Sequence, residues 1–316
     1  MAQGHDLVRF GVGDSDEFIF YPIPAGSMTS TIKLNDGTEI PSLAFGTGTA
    51  LYGRDAEKAI KLAIDNGFTH LDGAQVYGNE ASLGAGIKAS GRPRSELYVV
   101  TKLKSGLGHD KVRESLIESL EKLGLENVDL FLIHSPAGFT DEELKQLWQA
   151  MEAVHVEGLA KSIGVSNFRV QHLKAILPGA KIIPSVNQIE LHPYVWKAAE
   201  PIVKYGLEKG NITPASYSGL TPLVRVVGGP VDEVLPPITE RLGKVLGKPV
   251  SQGQVLSKWV LQKGAIVVTT STKQARIKEY LETSQVPDLT AEEVEAIDTA
   301  GAKLYKREFM RHVFEE

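Results

Sequence analysis

The sequence predicts a single (β/α)8 TIM barrel, an α/β fold with an N-terminal β-hairpin and extra helices near the C-terminus. Two observations carry that prediction. Short β-rich runs alternate with amphipathic stretches along the chain, and most successive runs lie roughly 25 to 35 residues apart, the length of one βα unit, the last interval being longer. There are eight such runs, the number that closes a barrel rather than leaving an open sheet. The 316 residues would allow one large domain or two ordinary ones at about 150 residues each. The uninterrupted βα alternation selects one.

Taken in order, residues 1–27 form an N-terminal extension, and 28–316 form the barrel. The extension lacks a basic segment followed by an apolar one, and Asp14, Asp16 and Glu17 interrupt any basic amphipathic helix, so no targeting signal is expected. Gly26-Ser27-Met28 fits either a cloning scar ahead of a start at Met28 or a loop in a natural extension. Next, Ile32-Lys33-Leu34 and Glu39-Ile40-Pro41 flank Asn35-Asp36-Gly37, a hairpin signal. The strand candidates are Leu43 to Phe45, His70 to Asp72, Leu97 to Lys102, Val128 to His134, Lys161 to Val165, Ile183 to Gln188, Ile212 to Tyr217 and Ala265 to Val268. Between them, sets such as Ala56-Ile60-Ala63-Ile64 and Val112-Leu116-Leu120-Leu123 repeat at helical spacing. A Pro- and Gly-rich insertion from Ser218 to Pro237 reads as an active-site loop, followed by helices over about Ile238 to Leu246 and Ser251 to Lys263.

Composition removes several classes of function. Lys plus Arg number 34 against 39 Asp plus Glu, a net charge of -5, which argues against a nucleic-acid surface or a polybasic membrane anchor. Without cysteine, disulfides, thiolate metal sites, iron–sulfur clusters and thiol nucleophiles are excluded. The longest apolar runs, such as Ala265-Ile266-Val267-Val268, fall far short of the roughly 18 residues a spanning helix needs. A cytoplasmic protein acting on a small molecule is expected, with no nucleic-acid or membrane partner. A doubly wound dinucleotide fold is unsupported: Gly46-Thr47-Gly48-Thr49-Ala50-Leu51 lacks the third glycine, Gly84-Ala85-Gly86 sits inside a helical pattern, and Gly11-Val12-Gly13 precedes the domain.

Active sites of such barrels lie at the C-terminal ends of the strands, so polar residues that end apolar runs are the candidates. Asp72 ends the second run, Tyr77 follows in its loop, Lys102 ends the third and His134 the fourth. Each alone has an ordinary explanation as a cap, a rim phenol, a snorkelling cation or a satisfied core histidine. As a set they converge on one mouth.

His70-Leu71-Asp72-Gly73-Ala74-Gln75-Val76-Tyr77-Gly78-Asn79-Glu80 resembles the signature of the aldo-keto reductase superfamily. The resemblance continues in the family's order through Val100-Thr101-Lys102-Leu103, Leu132-Ile133-His134-Ser135-Pro136, Gly164-Val165-Ser166-Asn167-Phe168, Asn187-Gln188-Ile189-Glu190-Leu191-His192-Pro193 and Ala215-Ser216-Tyr217-Ser218. It covers about residues 30 to 300. It implies an NADPH-dependent oxidoreductase that passes hydride to the carbonyl of an aldehyde or ketone, without a metal. In the implied roles, Tyr77 gives the proton, Lys102 lowers its phenol pKa, Asp72 pairs with Lys102, and His134 orients the carbonyl oxygen.

The resemblance further implies that Ser166, Asn167 and Gln188 hold the nicotinamide carboxamide and that Tyr217 stacks beneath the ring, with Ser218 and Leu220 beside the cofactor. A helix N-cap is the competing reading of Ser166-Asn167. The adenosine end falls to Thr270, Ser271, Thr272, Arg276 and Glu279. Here the chain departs from common members, with Thr270 in place of Lys and Tyr280 in place of Asn or Gln, yet Arg276 and the hydroxyls still suit a 2′-phosphate. Leu51, Tyr52 and Ser105 are expected at the substrate rim, with Ala137-Gly138-Phe139 and the tail from Lys303, and Trp196 either there or against the next helix. The short loop after strand four and the Thr-Thr-Ser segment are most similar to the fungal branch that reduces α-keto amides, α-keto lactones and conjugated diketones. A monomer or weak homodimer is expected. The alternatives are a redox-sensing regulatory subunit with little turnover, and a lyase or isomerase with Lys102 as Schiff base, against which Asp72 speaks.

Overall fold

The computed structural model describes residues 30–314. The extension 1–27 and the question posed by Gly26-Ser27-Met28 lie outside the described residues. Strands β1 (Thr31–Lys33) and β2 (Glu39–Pro41) pair antiparallel around the Asn35–Gly37 turn, where Gly37 takes φ 86°. Their tip grips the N-terminal end of the barrel: Asn35 Nδ2 donates to the Pro184 and Gly210 carbonyls, and Ser185 Oγ donates to Asp36 Oδ2.

The barrel strands are β3 (Leu43–Gly46), β4 (His70–Asp72), β5 (Tyr98–Leu103), β6 (Val128–Ile133), β7 (Ala160–Ser166), β8 (Val186–Glu190), β9 (Thr213–Tyr217) and β10 (Ile266–Thr269). They pair in parallel, in chain order, and close where β10 meets β3. The expected (β/α)8 architecture is present, because strands buried on both faces read as continuous apolar runs. Leu34 and Ile40 of the hairpin pack on the inner side chains Val100, Leu130, Leu132, Val186, Ala215 and Ile266 and stopper that end. Only the opposite mouth is left for chemistry.

Several strand limits shift from those expected, for local reasons. Leu97 still closes a turn onto the Arg94 carbonyl, so β5 starts at Tyr98. β6 stops at Ile133, and the His134 carbonyl is taken by the Asn167 side chain. After β9 come a short helix Thr221–Val224 and then Leu235–Leu246 and Gln252–Gln262. The first long helix starts earlier than expected because Pro236 and Pro237 fit a first helical turn, where no N–H is needed. The second is capped reciprocally by Ser251 and Gln254.

Gly84 and Gly86 lie within the helix Glu80–Ser90, as their pattern suggested. A Cβ on Gly84 would enter the Leu123 carbonyl, and one on Gly86 would stand 2.7 Å from the Glu57 carbonyl oxygen. Both are packing glycines. No described helix is long and apolar enough to cross a membrane.

Candidate active site

Asp72 closes β4, Lys102 lies on β5 and His134 follows β6, so neighbouring strands deliver all three to one mouth. Tyr77 arrives from a single helical turn, Gln75–Tyr77, in the loop after β4. Lys102 is 0% exposed and Asp72 2%. Lys102 Nζ donates to Asp72 Oδ1 at 2.6 Å and to the Gly73 carbonyl at 2.8 Å. The other carboxylate oxygen accepts from Gln188 Nε2 at 2.8 Å, which ties the pair to β8. A carboxylate only accepts, so this contact fixes which end of the Gln188 amide faces Asp72.

Tyr77 stands over the pair, with Lys102 Nζ 5.1 Å from its ring centre. Its ring meets His134 edge-on at 5.5 Å and Tyr52 at 6.0 Å. Gly48 permits this position, since a Cβ there would lie 3.0 Å from Tyr77 Cζ and 3.2 Å from its hydroxyl. The glycine pair that fails as a dinucleotide fingerprint thus has a use.

Burial pushes the Lys102 ammonium below its usual range, and Asp72 opposes that shift. Burial, and next the Lys102 charge, push His134 down to about 3, so the imidazole is neutral. Its Nδ1 is buried without a partner. The Tyr77 phenol is pushed well above its ordinary value, by burial first and then by Asp72 and Tyr52. In the resting site burial and the Asp72 charge outweigh any lowering by Lys102. A lone cation 5 Å away would contribute about 3 kcal/mol at an effective dielectric near 20, but an adjoining carboxylate turns that field into the weaker one of a dipole.

A second cluster adjoins the first. Asn167, in left-handed backbone at φ 63°, donates from Nδ2 to the His134 carbonyl and to Ser166 Oγ, and its Oδ1 accepts from the Tyr217 hydroxyl at 2.7 Å. Ser166 Oγ donates to the Gln188 carbonyl. The N-cap reading of Ser166-Asn167 falls away, because the helix Val170–Ile176 is capped by Arg169 with His172. Ser218, after Tyr217, is also left-handed, at φ 60°, and its carbonyl accepts from Thr221 just past Leu220. Two non-glycine residues in this costly conformation, after the strands on either side of β8, mark a surface held in a set shape.

At the third group, the helix Gln274–Leu281 starts without a side-chain cap. Thr270 Oγ1 is buried and unpartnered, while Ser271 Oγ accepts from the Lys273 amide. Thr272 and Arg276 are exposed. Arg276 lies 3.5 Å from Glu279, which also accepts from Ser251, and it hydrogen-bonds Tyr280. Open helical N–H groups, hydroxyls and a half-exposed guanidinium fit a phosphate.

The expected rim divides. Tyr52 is 54% exposed, and Ser105 is exposed after β5. Leu51 is buried in the core, with its carbonyl held by Asn79 Nδ2, so it is not a rim residue. Trp196 turns outward and stacks edge-on against Trp259 at 5.6 Å, with Lys263 against both rings. Among polar groups without an assigned role, Thr47 donates twice to the Asp72 carbonyl, Asn79 spans Thr47 and Leu51, and Glu80 accepts from Thr101. Asn79 and Glu80 stand in the signature block, but their partners are remote in sequence. Among the described residues no group of three His, Asp or Glu is placed to hold a metal.

The model of the aldo/keto reductase family matches residues 42–225. An NAD/NADP-dependent indole-3-acetaldehyde reductase of Schizosaccharomyces pombe is 39% identical over 288 residues, 88% of this chain and 98% of that protein. A glyoxal reductase of Bacillus subtilis is 34% identical, covering 86% of this chain and 93% of its own. A Bombyx mori aldo-keto reductase solved in complex with NADP superposes with a TM-score of 0.76 at 34% identity, over 87% of this chain and 94% of that one.

Removing one member of a buried ion pair strands the other, which costs about 3–5 kcal/mol. We expect Asp72→Ala to lose stability of that order in urea unfolding, and the further change Lys102→Met to recover part of the loss. Additive losses in this double-mutant cycle would contradict a paired, charged core.

Proposed function

The chain belongs to the aldo/keto reductase family, and we propose that its Tyr77 gives the proton that completes carbonyl reduction, above the Asp72–Lys102 pair and beside His134. The protein is an NAD(P)H-dependent oxidoreductase of small carbonyl compounds. A bound reduced nicotinamide supplies hydride to the carbonyl carbon. The observation that carries the assignment of roles is the sealed ion pair beneath a neutral phenol and a neutral imidazole.

As the carbon takes hydride, the oxygen becomes an alkoxide, a stronger base than phenolate. Tyr77 Oη therefore donates downhill even with its pKa raised. The phenolate left behind is charged, and Lys102 stabilises it at that moment, held in place by Asp72. The unpaired, buried Nδ1 of His134 is better tolerated as a bare acceptor than as an orphan N–H, which puts the imidazole proton on Nε2, where it orients the substrate oxygen. Ser166, Asn167 and Gln188 hold the carboxamide, with Gln188 Oε1 as the acceptor because its Nε2 serves Asp72. Tyr217 supplies the stacking face, flanked by Ser218 and Leu220, and its hydroxyl is pinned by Asn167. Thr270, Ser271, Thr272, Arg276 and Glu279 hold the adenosine end.

NADPH is the preferred donor in this reading, because Arg276 at an uncapped helix start suits a 2′-phosphate. We place the substrates among α-keto amides, α-keto lactones, α-keto esters and conjugated diketones, as in the fungal branch of the family. Tyr52 and Ser105 form the rim. We take residues 28–316 as one domain and the protein as a cytoplasmic monomer or weak homodimer, on its composition and net charge of -5.

NADPH oxidation with aldehydes, α-keto esters, α-keto lactones and isatin tests the reading. Tyr77→Phe should slow reduction about 100-fold while NADPH affinity, read by fluorescence, stays near wild type. A variant that keeps more than about a third of wild-type turnover, with chemistry limiting, removes Tyr77 as donor. With the phenol titrating above its ordinary range and His134 at about 3, neither group changes charge between about pH 5 and 9. Single-turnover reduction should be flat across that window, and an inflection near neutrality that His134→Gln abolishes would contradict these states.

Arg276→Ala should weaken NADPH about tenfold and NADH little, since one charged hydrogen bond at a half-exposed site is lost. Equal weakening of both cofactors would mean that this segment shapes the loop without reading the phosphate.

A further inference from the structure

Gln75 opens the single turn that carries Tyr77, and its side-chain amide is engaged on both sides. Nε2 donates to the Ser115 carbonyl at 2.9 Å and to Ser119 Oγ at 2.8 Å. Oε1 accepts from the Lys104 amide at 2.7 Å and from Ser115 Oγ at 2.9 Å. Both donors and both lone pairs are used, so the group has no capacity left for another partner. A backbone N–H can only donate and a carbonyl can only accept, which fixes the two ends of the amide.

The partners belong to two other elements. Lys104 directly follows β5, two residues beyond Lys102. Ser115 and Ser119, both buried, are four residues apart and share one face of the helix Val112–Leu123. A side chain from the loop after β4 therefore bridges the end of the strand that carries Lys102 to the helix beside it.

The turn needs such a tie. Its three residues are half-buried, and a single helical turn is not stable by itself, because nucleation costs more than its few bonds return. The Tyr77 amide donates to the Ala74 carbonyl and the Gly78 amide to the Gln75 carbonyl, which closes the turn on itself. The Tyr77 carbonyl accepts from Gly53, which fastens it to the loop after β3. The Gln75 amide supplies the tie to the end of β5.

We propose that Gln75 is a positioning residue for proton transfer: its amide locks the Tyr77 turn to the end of β5 and so keeps the phenol over Lys102. It acts through Tyr77, and this rests on the reading of Tyr77 as the proton donor.

Gln75→Met keeps the volume and removes all of these bonds. Lys104 is exposed, so its amide turns to water, and the fold is retained. Single-turnover reduction with NADPH already bound should slow about tenfold, since an error of about 1 Å in a reacting geometry can cost up to about 100-fold. The loss should fall on kcat, with NADPH affinity and the carbonyl KM within about twofold of wild type. In a Tyr77→Phe background the same change should cost less than about twofold, because the group it positions is gone. Ser119→Ala, which leaves the Lys104 bond in place, should reduce carbonyls at close to the wild-type rate. Should Gln75→Met fail to fold, Gln75→Asn, too short to span Lys104 and Ser115 together, carries the same readouts. An equal loss in both Tyr77 backgrounds, or no loss in either, overturns the positioning role, and slowing by Ser119→Ala as large as that of Gln75→Met overturns the tie to β5. Tyr77→Phe turning over like wild type fails the reading of Tyr77 as donor instead, and the rate of that variant alone tells the two failures apart.

Discussion

A lysine ammonium with no access to water is costly, by several kcal/mol even after relaxation, and it persists only where partners surround it. Lys102 has that surrounding because β4 and β5 are neighbours in the barrel, in a register that sets the Asp72 carboxylate and the Gly73 carbonyl against its Nζ. Asp72 is in turn held from two other directions. Thr47, just past β3, fixes its backbone carbonyl, and Gln188 on β8 occupies its second oxygen. Barrel closure and the charge pair therefore support each other.

The pair also decides the electrostatics of the mouth. Because the cation and anion touch, neither imposes a full charge on its surroundings. Tyr77 and His134 stay neutral in a site dry enough to shift both away from their usual ranges. The phenol holds its proton at rest, and in the proposed reaction the Lys102 charge gains importance only when negative charge appears on Tyr77. The second cluster is likewise self-satisfied: Tyr217, Asn167, the His134 carbonyl and Ser166 bond one another and fix the Tyr217 ring face and His134 in one network.

The barrel was legible in the sequence because its strands are buried on both faces and its helices on one, so the two periodicities differ. Asp72, Lys102 and His134 were legible as a set because polar residues that end neighbouring apolar runs gather at one mouth, and Tyr77 because it follows Asp72 in the adjoining loop. Leu51 and Trp196 also stand near strand ends, yet one turns into the core and the other onto Trp259. Nearness to a strand end does not say which way a loop or helix rolls. Thr47 and Gln75 escaped a role for a different reason: their partners lie 25 to 44 residues away, which no local pattern encodes. How far burial and the Asp72 charge offset Lys102 at the Tyr77 phenol is likewise not written in the sequence, which names charges without showing how closely they cancel.

The most direct measurement is chemical rescue of Lys102. In Lys102→Ala, ethylammonium added to the cavity should restore carbonyl reduction in proportion to its charged fraction, while ethanol of the same size should not. Equal rescue by the alcohol, or none by the amine in a variant shown to be folded and to bind NADPH, would mean that Lys102 fills space at this site and that the proton transfer draws nothing from its charge.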